Sequence, residues 1–261
     1  MGDPVCNTRN EPGRKQVMID ELKVFRGKEY QINSHISIRQ PALDEICGYG
    51  EKAYFGMVKG LCSTPADRKV EIWDALHVYW ETVDEYDLFL SMWGSLCKMD
   101  LSILFGTTDM SQFKPVLNPK INSIVLSNQQ GAVIDRAIYT LITDYLRRIH
   151  GFKKNVDVGY NDSTRDIMIE DDRDDQLKWA SKPFRSMLQP LISSLTNCPE
   201  FKYRYDDVWD LPIGVFMDAV SRIQKHKNYT QLMTGIYSGC IDSKKIKKSE
   251  MDWMGELKKP S

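Results

Sequence analysis

The sequence predicts an α+β protein in which helices dominate: a small N-terminal β-hairpin or sheet unit followed by a helical body. Three observations carry this. Short stretches of polar–apolar alternation flank the turn Arg26-Gly27. From residue 64 onward, apolar residues recur at helical spacing in segment after segment. A wide apolar stripe then runs from Gln129 to His150 and stops at Gly151.

Residues 1–18 are polar, contain Pro4, Pro12 and Gly13, and read as a flexible arm. Glu21-Leu-Lys-Val-Phe25 and Glu29-Tyr-Gln-Ile32 alternate on either side of the turn and read as a hairpin, with a third short strand over His35–Ile38. Pro41 suits the first turn of a short helix over Ala42–Cys47, ended by Gly48 and Gly50. Ala53–Cys62 is apolar with glycines and β-formers, which favours a strand over a helix. Thr64-Pro65-Ala-Asp67 has the form of a helix start, with Thr64 as N-cap. That helix is expected to reach about Trp80 through Val70, Trp73, Leu76 and His77. Tyr86, Phe89, Leu90, Trp93 and Leu96 repeat the pattern over 84–96. Gln112–Leu126 reads as irregular or β. Residues 152–176 form an acidic surface excursion with room for an exposed helix. Three helices are expected after it, over 176–197 (kinked or broken at Pro183 and Pro190), 205–225 and 229–237. A Lys-rich link from 241 then leads to a short terminal helix near 250–256. The chain is thus read as 1–18, 19–105, 106–240 and 241–261. No repeat of fixed period appears.

The chain carries 42% hydrophobic and 27% charged residues, enough apolar material for a core. Thirty-five basic against 36 acidic residues give a net charge of −1, which argues against a dedicated nucleic-acid binder. No apolar run approaches the ~18 residues of a membrane span. The cysteines at 6, 47, 62, 97, 198 and 240 are scattered, with no zinc-knuckle or redox spacing. Without a secretory signal they read as reduced thiols.

Catalytic and metal chemistry find little support. His35, His77, His150 and His226 share no paired spacing and read as structural or surface residues. Glu170–Asp175 lacks the ligand order of a calcium loop and reads as a solvated face. Nucleophile elbows, phosphate loops and dinucleotide fingerprints are absent. The lysines at 244, 245, 247 and 248 lack the interleaved aromatics of a nucleic-acid patch. No catalytic residue, metal ligand or cofactor site is therefore assigned. Trp253 stands out because it lies in a short charged segment after a hydrophilic link. It either docks back onto the body or anchors a partner. Trp253, Met254, Tyr237 and Ile236 are the candidate partner-binding residues.

Two stretches carry a resemblance. One holds Ile38, Pro41, Glu45 and Ile46, then Gly50, Glu51, Tyr54 and Phe55. The other holds Tyr205-Asp-Asp-Val-Trp-Asp-Leu-Pro-Ile-Gly-Val-Phe216 and Gly235-Ile-Tyr-Ser-Gly, closing on Asp252-Trp253-Met254. Together, over most of 20–105 and 200–257, they resemble the tail assembly chaperones of long-tailed bacteriophages and prophages of Gram-positive bacteria. The resemblance implies a non-enzymatic protein of the host bacterial cytoplasm, free to self-associate. Such a protein coats the tape measure protein, keeps it soluble and recruits tail tube protein. It also implies that a longer frameshifted form can arise near Leu257-Lys258-Lys259. A structural tail or connector protein, and an enzyme or host-interaction factor, are the competing readings.

Overall fold

The computed structural model describes residues 20–119 and 121–257. The expected arm at 1–18 lies outside the described residues, as does Cys6. The architecture is mainly helical, with a two-stranded antiparallel sheet near the N-terminus and a second, three-stranded one inside the helical body.

The chain opens with helix α1 (Glu21–Phe25), where a strand was expected. Asp20 caps it by accepting the Lys23 N–H, and five residues of alternation are too few to tell period 2 from a single helical turn. Strands β1 (Tyr30–Gln31) and β2 (Ser37–Ile38) pair antiparallel with Tyr30 opposite Ile38. Helix α2 (Leu43–Tyr49) contains Gly48 and ends at Gly50, whose φ of +93° also breaks the path into α3 (Glu51–Leu61). The strand expected over 53–62 is therefore a helix. Its buried residues Tyr54, Phe55, Met57, Val58 and Leu61 follow helical spacing. Gly60 is a packing device, since a Cβ there would come within 3.0 Å of a Leu96 methyl.

Thr64 caps the next turn as expected. Its hydroxyl accepts the Asp67 N–H, and the Asp67 carboxylate accepts the Thr64 N–H at 2.9 Å. Thr64→Ala is expected to lower stability by about 1 kcal/mol, the usual loss for a missing N-cap; an unchanged urea midpoint would show that the cap contributes nothing. Helix α4 (Lys69–Leu76) stops short of Trp80 because His77 takes the left-handed conformation at φ 53°. Trp80 lies in its own 3-10 turn, buried, donating its indole N–H to the Asp157 carbonyl at 2.8 Å.

Helix α5 (Glu85–Leu96) buries Tyr86, Phe89, Trp93 and Leu96 as the spacing implied. A short α6 (Ser102–Phe105) follows. Strands β3 (Lys114–Asn118), β4 (Ser123–Ser127) and β5 (Val133–Ile134) form the second sheet, in that order and antiparallel. The expected helix over 129–150 begins later. Val133 and Ile134 belong to β5, and Asp135, accepting the Ile138 N–H, caps α7 (Arg136–His150).

Helix α7 is the central strut. Tyr139, Ile142, Tyr145, Leu146 and Ile149 are buried, each contributing roughly 1.5–3 kcal/mol. Gly151, at φ +68°, ends it as expected. The acidic excursion carries α8 (Asp162–Ala180), which packs on α4 through Ile169, Lys69–Asp172 and a bidentate Arg173–Asp74 pair. The chain breaks around Pro183 and resumes as α9 (Leu188–Thr196), with Pro190 tolerated in the first turn. The two helices expected over 205–237 are instead a 3-10 turn at Asp207–Asp210 and one continuous α10 (Ile213–Tyr237). Where a terminal helix was expected there is a 3-10 turn at Lys248–Glu250 followed by bends. Among the described residues no helix is long and apolar enough to cross a membrane.

Candidate functional site

The two stretches that carry the resemblance meet in space. Leu43 N–H bonds to the Leu211 carbonyl at 3.1 Å, and Ile213 N–H to the Pro41 carbonyl at 2.9 Å. Arg39 holds Glu45, whose carboxylate also accepts the Ala42 N–H at 2.8 Å; these bonds hold the Glu45 pKa below the ordinary range despite partial burial. Glu51, in the first turn of α3, accepts the N–H groups of both Met187 and Leu188 at 2.6 and 2.9 Å, so it caps α9 across the fold.

This junction lines a cleft of about 560 Å³ between α2 and α9. Leu43, Ile46, Leu188, Ile192 and Trp209 give it apolar walls, and Tyr205 stands at its rim with its ring edge-on to Trp209. The size falls in the usual range for binding clefts, and a junction between chain segments is a common place for one. Chemically the cleft can receive apolar side chains. Its one carboxylate, Glu51, is already engaged by the N-terminus of α9.

The residues singled out in the sequence lie elsewhere, on and against α10. Ile236 is half-buried and Tyr237 exposed at the end of that helix. Trp253 returns to the body: its ring sits 4.7 Å from that of His226 and is half-buried, while Met254 is exposed. His226 and Ile236 are separated by roughly 15 Å of helix, at 1.5 Å per residue. The four residues therefore form two separate pairs.

His150, one of the four histidines read as structural or surface residues, is buried in the core. Its Nδ1 donates to the Leu146 carbonyl at 2.7 Å, which leaves Nε2 to accept the Tyr54 hydroxyl at 2.6 Å. Phe152 stacks on the ring and Phe55 meets it edge-on. Burial pushes its pKa down to about 4, against the backbone bond that favours the charged form. Burial likewise pushes the Cys62 thiol up to about 12, so that side chain is an inert thiol in the core. The five described cysteines are free. Among the described residues no group of three His, Cys, Asp or Glu side chains gathers to hold a metal ion.

Comparison with known proteins adds one relation. Residues 182–258, which comprise α9, α10 and the C-terminal segment, match the family described as the YomV second domain. This is a Bacillus phage-type family, and the match points to a phage-derived protein. No curated protein matches the chain. No solved structure matches it either.

Proposed function

We propose that this phage-type protein is a tail assembly chaperone. It acts in the host bacterial cytoplasm, binds the tape measure protein without catalysis, keeps it soluble and recruits tail tube protein. The observation that carries this reading is the cleft between α2 and α9. It lies beside the junction of the two resembling stretches, with α9 as its other wall, and its apolar side chains can receive those of an amphipathic helix. Exposed apolar side chains on other faces, among them Leu117 and Ile124 on the β3–β4 hairpin and Leu177 and Trp179 at the end of α8, give a long client further points of contact. The charged surroundings, such as the acidic run Glu170–Asp175 on α8, limit aggregation of the chain.

The test is co-expression with the tape measure protein encoded in the same genome. The tape measure protein is expected in the soluble fraction and to co-purify with this chain. Tyr205→Glu, an exposed substitution at the cleft rim, is expected to reduce the co-purified amount at least fivefold. If the tape measure protein stays insoluble while this chain is retained in many copies in purified particles, it is a structural tail or connector protein instead.

A further inference from the structure

The outer half of α10 stands apart from the core. Up to Ile223 the helix packs against the main apolar cluster; beyond it, no residue of α10 belongs to that cluster. Tyr229, Leu232, Met233 and Ile236 nevertheless form a half-buried stripe at helical spacing. The chain reverses at Gly239, at φ +77°, and runs back along this half. Ile241 lies against Gly235, where a Cβ would come within 2.5 Å of its terminal methyl, and its N–H bonds to the Gly235 carbonyl. At the other end Trp253 sits on His226. Arg222 donates to the carbonyls of Trp253 and Gly255 at 2.7 and 2.9 Å, and Lys225 to those of Gly255 and Glu256, each at 2.9 Å.

Three features mark this return segment as weakly held. None of its described side chains is buried; Ile246, Met251, Trp253 and Leu257 are half-buried. Its only regular structure is two 3-10 turns. Arg222 and Lys225 grip it through neutral carbonyls, and neither forms an ion pair with a described carboxylate. Asp218 does lie within electrostatic reach of Arg222. These bonds are charged on the donor side only; a carboxylate acceptor would add its own charge and, at Arg222, allow a bidentate pair.

We infer that residues 239–257 are a detachable cover over a docking face on the outer half of α10. When the cover lifts, the face takes an apolar peptide segment of the cover's own chemistry: an aromatic anchor set against His226, with carbonyl or carboxylate oxygens for Arg222 and Lys225. A segment bringing a carboxylate to the two cations displaces the cover, because it replaces neutral acceptors with a charged one. The face is then occupied in cis at rest, and a partner must compete with a tethered ligand at high effective concentration. This goes beyond the tape-measure reading and stands or falls without it.

The probe is a fluorescently labelled synthetic peptide of residues 239–257, titrated against the full chain. A chain opened by Ile241→Asp with Trp253→Asp is expected to bind it at least tenfold more tightly than the unaltered chain. Adding Arg222→Ala and Lys225→Ala to the opened chain, or Trp253→Ala to the peptide, is expected to remove at least tenfold of that affinity. Equal binding by opened and unaltered chains, or no binding by an opened chain with an unchanged helical spectrum, overturns the inference. Hydrogen exchange on the unaltered chain gives a reading free of substitutions. The bonded amides of the return segment, such as Ile241, Met251 and Gly255, are expected to exchange at least tenfold faster than those of 213–223, and equal protection overturns the cover.

Discussion

Stability is expected to fall by about 2 kcal/mol between pH 7.5 and pH 5 through His150 alone, at about 1.36 kcal/mol for each tenfold difference in proton affinity between the folded and unfolded chain. The folded pKa is depressed to about 4 from 6.5, because the ring lies buried among Tyr54, Phe55 and Phe152. Between those two values the unfolded chain binds a proton that the folded chain refuses. The contribution is therefore fully present above pH 6.5, shrinks as pH falls towards 4, and totals on the order of 3 kcal/mol. The geometry gives the same sign. The Leu146 carbonyl fixes the proton on Nδ1, so a second proton would enter at Nε2, where Tyr54 now donates. The depressed carboxylates, Glu45 and Glu81 among them, add losses of the same sign at lower pH. Urea denaturation of the unaltered chain and His150→Gln at pH 7.5, 6.5, 5.5 and 5 separates the contributions. The variant is expected to lose the slope in this window, and equal slopes for both proteins would remove His150 as its cause.

Arg147→Met is expected to cost about 3–5 kcal/mol, the range for removing one partner of a buried pair. Its guanidinium, almost fully enclosed, donates to Glu85 at 2.5 Å and to the Cys62 carbonyl at 2.7 Å. Lys154 holds the other oxygen of Glu85 from the solvent side. Replacing Arg147 leaves a carbonyl and most of a carboxylate facing an apolar side chain. Arg147→Met combined with Glu85→Leu is expected to recover at least half of the loss, since the uncompensated charge goes with it and Lys154 is exposed enough to be solvated. Urea midpoints at constant slope measure both. A single-variant loss below about 1 kcal/mol would mean that water reaches the pair.

The sequence exposed the helical body and concealed some of its joints. Val70, Tyr86, Phe89, Trp93 and, along α7, Ile142, Tyr145, Leu146 and Ile149 are buried as their spacing requires, while Ile138 and Leu141 are half-buried and Ala137 is exposed. The Thr64 cap was legible because capping is local. Helix α3 was misread because Gly56 and Gly60 look like strand or turn punctuation, whereas Gly60 serves the approach of Leu96. The start of α7 was misplaced because Val133 and Ile134 continue its apolar run, although Asp135 carried a readable N-cap. Nothing between His226 and Tyr229 breaks a helix, so dividing α10 there had no physical warrant. Of the candidate surfaces, Trp253 could be picked out as a large aromatic in a polar tail. The grip of Arg222 and Lys225 on backbone carbonyls leaves no pattern in side-chain spacing. The cleft draws its walls from α2, α9 and residues 205–209, and no local window contains them together.

The position of α7 in the chain also fixes when a growing polypeptide can fold. Tyr145 meets Gln40 from 105 residues away, His150 meets Tyr54 from 96, Arg147 meets Cys62 from 85, and Tyr139 meets Leu61 from 78. Until α7 leaves the ribosome, the apolar faces of α2, α3 and α5 have no lid, and the α9 cap supplied by Glu51 closes over 136 residues. Such distant closures are slow and leave sticky intermediates exposed. Translation at 5–20 residues per second would hold the first 135 residues unsealed for roughly ten seconds, so the order of synthesis leaves this chain's own apolar faces bare before its closing helix exists.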